Sequence, residues 1–118
     1  MSDLLNSYRM HVILYELEDI QGNSKSVNQE YKKIMQAYDD LKSVSKLSEL
    51  LKLLQDENES VQLWSATHSL EIDALKASTM LTQLLKSENP RIALSAKYTL
   101  LEWKAGRLTF PPESTFAQ

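Results

Sequence analysis

Cysteine is absent from this chain, and glycine and proline nearly so, with two Gly and three Pro in 118 residues. Without Cys there is neither a disulfide framework nor a thiolate site, so the fold must stand on apolar packing alone. The scarcity of Gly and Pro removes most helix breakers and leaves the bulk of the chain free to be helical. It also removes the glycine-rich loops that cradle phosphates. Histidine occurs twice, as His11 and His68, without a His-x-x-x-His pair, which argues against a zinc site. No apolar run approaches the ~18 residues that a membrane span needs. Residues 1–20 carry Asp3, Glu16, Glu18 and Asp19 and lack the basic start and small-residue cleavage site of an export signal. The expectation is a cytoplasmic, single-domain protein without metal or cofactor, able to bury a core without staples and monomeric in isolation.

What is present is helical periodicity. From Asp3 to Ile20, Leu5, Tyr8, Val12 and Tyr15 recur at helical spacing, with Ile13, Leu17 and Ile20 widening the face. Gln21-Gly22-Asn23-Ser24 ends that segment, and Ser24 or Ser26 can cap a second helix running to Ser43, striped by Tyr31, Ile34, Met35, Tyr38 and Leu41. A short leucine-rich helix is expected over Lys46 to Gln55. Three more follow over Glu59 to Asp73, Ala74 to Lys86 and Pro90 to Ala105, with Pro90 in a first turn and Gly106 as the C-terminal cap. Residues 1–110 then form the helical domain, and 111–118 an irregular tail, with Phe110 docking onto the core.

Two stretches repeat one another. Leu54/Leu85, Glu57/Glu88, Asn58/Asn89 and Val61/Ile92 align at a spacing of 31, and Ser65-Ala66/Ser95-Ala96 and Leu70/Leu100 at 30. A period of this size marks a stacked helical array. The run Asp56-x-Asn58-x-x-Val61-x-x-x-Ser65-Ala66-x-x-x-Leu70, with its echo Asn89-Pro90-x-Ile92-x-x-Ser95-Ala96-x-x-x-Leu100, resembles the HEAT-type repeat. Gln62 and Ala93 stand where that repeat has Arg, and Glu59 where it has Pro, which removes the Asp–Arg contact that often ties one repeat to the next. The whole order of segments, down to Leu101-x-Trp103-x-x-Gly106-x-Leu108-x-x-Pro111, is similar to a family of short bacterial HEAT-like proteins. The resemblance implies an all-α, HEAT/armadillo-like stack of helical hairpins with about six helices. Proteins of this build resemble immunity partners of bacterial toxins, including those of contact-dependent growth inhibition, so it also implies a toxin-neutralising role.

Charge bears on the same question. Residues 1–75 hold thirteen acids and seven bases, a balance of −6, while residues 76–118 hold three acids and six bases, or +3. An acidic majority argues against a phosphate-backbone binder and for a basic protein partner. A nuclease toxin must be basic to hold its substrate, and an acidic inhibitor could cover its cleft. The candidate partner-binding acids are Glu16, Glu18, Asp19, Asp39, Asp40, Asp56, Glu57, Glu59, Glu71 and Asp73, with Tyr38, Trp64 or Trp103 as an aromatic anchor. Asp39-Asp40 sit late in their helix, where acids oppose its dipole. The other reading of these residues is that the tryptophans are core and the acids solvating.

Catalytic readings are weaker. Asp56-x-Asn58-x-Ser60 imitates a calcium loop, but Val61 stands at the required Gly and Thr67 at the bidentate acid. Ser65, His68 and Glu71 are three apart, yet one straight helix does not converge them on a reacting atom. The sequence therefore expects no enzyme. The alternatives to an immunity protein are a general helical-repeat scaffold holding a peptide or helix in its groove, and a HEAT-like nucleic-acid enzyme of the DNA-glycosylase kind.

Overall fold

The computed structural model describes residues 2–109. They form five α-helices, α1 (Asp3–Ile20), α2 (Ser24–Ser43), α3 (Glu59–Ser69), α4 (Ala74–Leu84) and α5 (Pro90–Lys104), and one 3-10 helix (Leu47–Gln55) between α2 and α3. No strand occurs among the described residues, and none of their helices is long and apolar enough to cross a membrane. The architecture is all-α and agrees with a helical-repeat fold. The expected docking of Phe110 falls outside the described residues.

The chain divides into two compact units, Met1–Glu49 and Leu50–Gln118. In the first, α1 folds back on α2 through a three-residue connection. Leu5, Tyr8, Val12 and Tyr15 of α1 and Val27, Ile34, Ala37, Tyr38 and Leu41 of α2 are buried. Burial, and then the neighbouring Tyr38, push the Tyr8 phenol well above its ordinary range, so it stays protonated. His11 Nδ1 lies 2.7 Å from Glu30 Oε2 across the hairpin. Ser2 caps α1, its Oγ accepting from the Leu5 N–H at 3.2 Å and donating to Glu49 Oε1 at 2.8 Å. The buried face of α1 is narrower than its periodicity suggests, because Leu17 and Ile20 are exposed and Ile13 is only half-buried.

In the second unit α3 packs against both α4 and α5, and α4 against α5. Nine of the eleven α3 residues are buried, including Ser60, Ser65, Ala66, Thr67 and Ser69. Small side chains let neighbouring helices approach closely, and two of the hydroxyls bond within the helix. Thr67 Oγ1 donates to the Leu63 carbonyl at 2.8 Å, and Ser65 Oγ to the Gln62 carbonyl at 3.2 Å. The aligned asparagines both cap helices. Asn58 Oδ1 accepts from the Val61 N–H at 3.1 Å, and Asn89 Oδ1 from the Arg91 N–H at 3.0 Å. The aligned pairs Val61/Ile92, Ala66/Ala96 and Leu70/Leu100 are buried, whereas Leu85, unlike its counterpart Leu54, is exposed. The two repeats differ in their first helix, which is 3-10 in one and α in the other.

Most boundaries expected from sequence stand within two residues, and the exceptions have local causes. Asn23 caps α2, with Oδ1 accepting from the Ser26 N–H, so neither Ser24 nor Ser26 holds that position. Helix α3 stops at Ser69, four residues before Asp73. There the chain must turn, because Asp73 is itself the N-cap of α4, accepting from the Lys76 N–H at 3.1 Å.

Three helices end in the same closing pattern, the N–H of the second residue past the cap reaching back to a carbonyl of the last turn. These bonds are Asn23 to Glu18, Lys46 to Leu41 and Arg107 to Glu102. The left-handed residue that the pattern requires is Gly22 or Gly106 in two cases (φ 75° and 72°) but Ser45 in the third (φ 59°). Arg107 also clasps Glu102 through its side chain, and this hydrogen bond holds the Glu102 carboxyl below its ordinary range. Ser45→Gly should raise stability by about 1 kcal/mol, by removing the cost of a side chain in the left-handed region. Thr99→Val should raise it by a similar amount, about 1 kcal/mol, because the buried Thr99 hydroxyl has no hydrogen-bond partner among the described residues. Urea unfolding of each variant checks both.

Candidate functional site

The apolar periods of the second unit leave an open concavity among the described residues. The 3-10 helix places Leu50 and Leu53, three apart, in one eclipsed row that is buried, with Leu54 buried beside it. Leu51 remains only half-buried. On α4, Ala77, Met80, Leu81 and Leu84 are buried, while Leu75 in the first turn is 77% exposed. Leu51, Leu54 and Gln55 on one wall face Leu75, Lys76, Thr79, Met80 and Gln83 on the other, across a groove of about 360 Å³. Its floor is apolar and its polar groups are two amides, a hydroxyl and one ammonium.

An acidic turn adjoins each wall in sequence. Asp56-Glu57-Asn58-Glu59 follows directly on Gln55, and Glu71-Ile72-Asp73 directly precedes α4. These turns lie at the two ends of α3, whose eleven residues span roughly 16 Å at 1.5 Å each. The candidate partner-binding acids of this unit are therefore divided between two places. Several are also committed to the fold. Asp56 Oδ2 accepts from the Asn58 N–H at 3.0 Å, and Asp73 caps α4. Glu59 Oε1 accepts from Ser87 Oγ at 2.7 Å, and Ser87 Oγ in turn accepts from the Asn89 N–H at 3.1 Å. That chain joins the turn before α3 to the turn before α5. Glu59 thus supplies a tie between the two aligned stretches. Gln62 donates to the Asp56 carbonyl. Glu57 and Glu71 are exposed.

The first unit divides its acids in the same way. Glu16, Glu18 and Asp19 are half-buried in the last turns of α1, whereas exposed Asp39 and half-buried Asp40 lie near the far end of the antiparallel α2. Asp40 Oδ1 accepts from Gln36 Nε2 at 2.9 Å. Of the three aromatic candidates, Tyr38 and Trp64 are core residues, fully buried or nearly so, and offer a partner no surface. Each sits on its helix's buried stripe, where its large apolar area is withdrawn from water. Trp103 is half-buried. The groove was not legible in the sequence, since a reading of Lys46 to Gln55 at α-helical period places all its leucines in the core. The signal that was present is Leu75, an apolar residue out of phase with Ala77, Leu81 and Leu84.

The catalytic motifs dissolve in the structure. Ser65 and His68 are buried in α3, and Glu71 lies beyond its end, exposed. Asn58 spends its side-chain oxygen on capping α3 and Asp56 on the Asn58 N–H, and no cluster of three metal-ligating side chains occurs among the described residues. No known protein family, curated protein or solved structure matches the chain.

His68 is a strongly displaced titrating group of the second unit. Its ring meets Trp64 edge-on at 5.7 Å, and burial lowers its pKa from the usual 6.5 to about 3. The unfolded chain therefore binds a proton that the folded one refuses between those two values. The stabilisation is complete above pH 6.5 and is lost as the pH falls toward 3. On lowering the pH from 7 to 5.5, the unfolding free energy of the parent protein should fall by roughly 1 kcal/mol more than that of His68→Gln. Parallel denaturant titrations at the two pH values measure the difference.

Proposed function

We propose that this protein acts by binding another protein, as an immunity-type inhibitor that covers the basic, substrate-holding surface of a bacterial toxin domain. The observation that carries the reading is the open apolar groove between the 3-10 helix and α4, with exposed Glu57 and Glu71 in the turns adjoining its two walls. An apolar centre edged by charge is the usual anatomy of a protein interface. The acids speed and orient the encounter with a basic partner, and the groove supplies the desolvated contact that holds it. Inhibition on this reading is occlusion, and the chain performs no chemistry. The reading places it in the cytoplasm of the bacterium that carries the toxin, which would be a nuclease if phosphate binding is what makes its surface basic.

A general scaffold remains the second reading, favoured by the apolar floor of the same groove, which fits one face of an amphipathic helix. Salt separates the two, since electrostatic capture weakens with ionic strength and apolar capture does not. Affinity capture from the native cells should recover one basic protein that elutes with rising salt. Glu57→Lys/Glu71→Lys should lower its retention by about tenfold or more, and Leu75→Asp should do the same. Recovery of several salt-resistant proteins, lost only with Leu75→Asp, would establish the scaffold. Retention unchanged by every one of these substitutions would sink both readings.

A further inference from the structure

Helix α1 is apolar on two opposite sides. Its core side holds Leu5, Tyr8, Val12 and Tyr15, and its other side carries Met10, Leu17 and Ile20, each half exposed or more. A second uncovered stripe lies on α5, where Leu94, Tyr98 and Leu101 recur at steps of four and three and are each about half exposed, while Ile92, Ala96, Thr99 and Leu100 are buried.

The two stripes are matched in charge. Within α1 stand Asp3, Glu16, Glu18 and Asp19 against Arg9, four acids less one base, or −3 with His11 neutral. Within α5 stand Arg91, Lys97 and Lys104 against Glu102, three bases less one acid, or +2. Pairing α1 with α1, or α5 with α5, sets helices of like net charge together, whereas α1 against α5 sets helices of opposite net charge together.

We propose that α1 of one copy of this chain packs on α5 of a second copy, so that the protein associates with itself through two different surfaces. This departs from the monomer expected from sequence and does not rest on the toxin-binding reading. Because the paired surfaces differ, a dimer keeps one free α1 stripe and one free α5 stripe, and the assembly grows with concentration unless it closes into a ring.

Sedimentation velocity of the full chain over a wide concentration range tests the proposal. Mass should rise with concentration, and the association should weaken as salt is added. Met10→Gln/Leu17→Gln and Leu94→Gln/Leu101→Gln should each weaken association by about tenfold or more, with circular dichroism showing helix content and melting cooperativity retained. The decisive sample is an equimolar mixture of the two variants. Each keeps the surface the other has lost, so the mixture should form a 1:1 dimer and stop there. A parent chain that stays monomeric at every concentration overturns the proposal. So does a mixture that remains monomeric, or an α1 variant that dissociates while the α5 variant still assembles, since that pattern belongs to an α1–α1 pair. Association that appears only after residues 110–118 are removed also overturns it, and makes that segment the occupant of the α5 stripe.

Discussion

Burial of α3 on nearly its whole circumference is the constraint from which the second unit follows. A helix whose centre reads Trp64-Ser65-Ala66-Thr67-His68-Ser69 takes several polar atoms out of water when it is enclosed, and they are provided for unequally, since the buried Ser69 hydroxyl has no hydrogen-bond partner among the described residues. Thr67 and Ser65 return their hydroxyl protons to carbonyls one turn back. His68 meets the same demand by staying neutral, since an imidazolium in that position would be stripped of water. In exchange, Ala66 and the serines allow α4 and α5 to close on either side. Val61, Leu63 and Trp64 supply the apolar area that offsets the ordering entropy.

Enclosing α3 also governs what remains for a partner. Its two ends are where the chain must turn, and at both turns an acid is committed to a backbone N–H: Asp56 accepts from Asn58, the cap of α3, and Asp73 caps α4. Glu59 is drawn into the Ser87–Asn89 chain that ties the two repeat turns together. Acidity that reads in sequence as one property of the chain is therefore of two kinds in space, structural acids at helix starts and solvent-facing acids such as Asp39, Glu57 and Glu71. The exposed apolar area follows a related logic. Helices of 11 and 15 residues such as α4 and α5 satisfy one or two neighbours, and the apolar positions beyond that need, Leu75 on α4 and the outer stripe of α5, stay open.

The 3-10 helix shows how a local geometry can redirect side chains without altering the apolar pattern. Leu47, Leu50, Leu51, Leu53 and Leu54 read as a leucine-rich α-turn, and at 3.6 residues per turn they would share one face. At three residues per turn Leu50 and Leu53 align and go inward, and Leu51 is rotated to the groove. Tyr38 and Trp64 make the converse point. Their residue types suit interface anchors and core packing equally, and only their positions on the buried stripes of α2 and α3 exclude the first.

Helix existence, most helix ends and the repeat are determined by the sequence itself, because they rest on local chemistry. Asn58 and Asn89 cap whatever helix follows them, Pro90 starts one, and Gly22 and Gly106 admit the left-handed turn that closes one. Tertiary structure alone decided which apolar side of α1 is covered, which acids are spent on caps, that His68 is neutral, and that a groove opens beside α4. Each of these depends on what lies across from a side chain, and periodicity along one strand of sequence carries no information about the element on the other side.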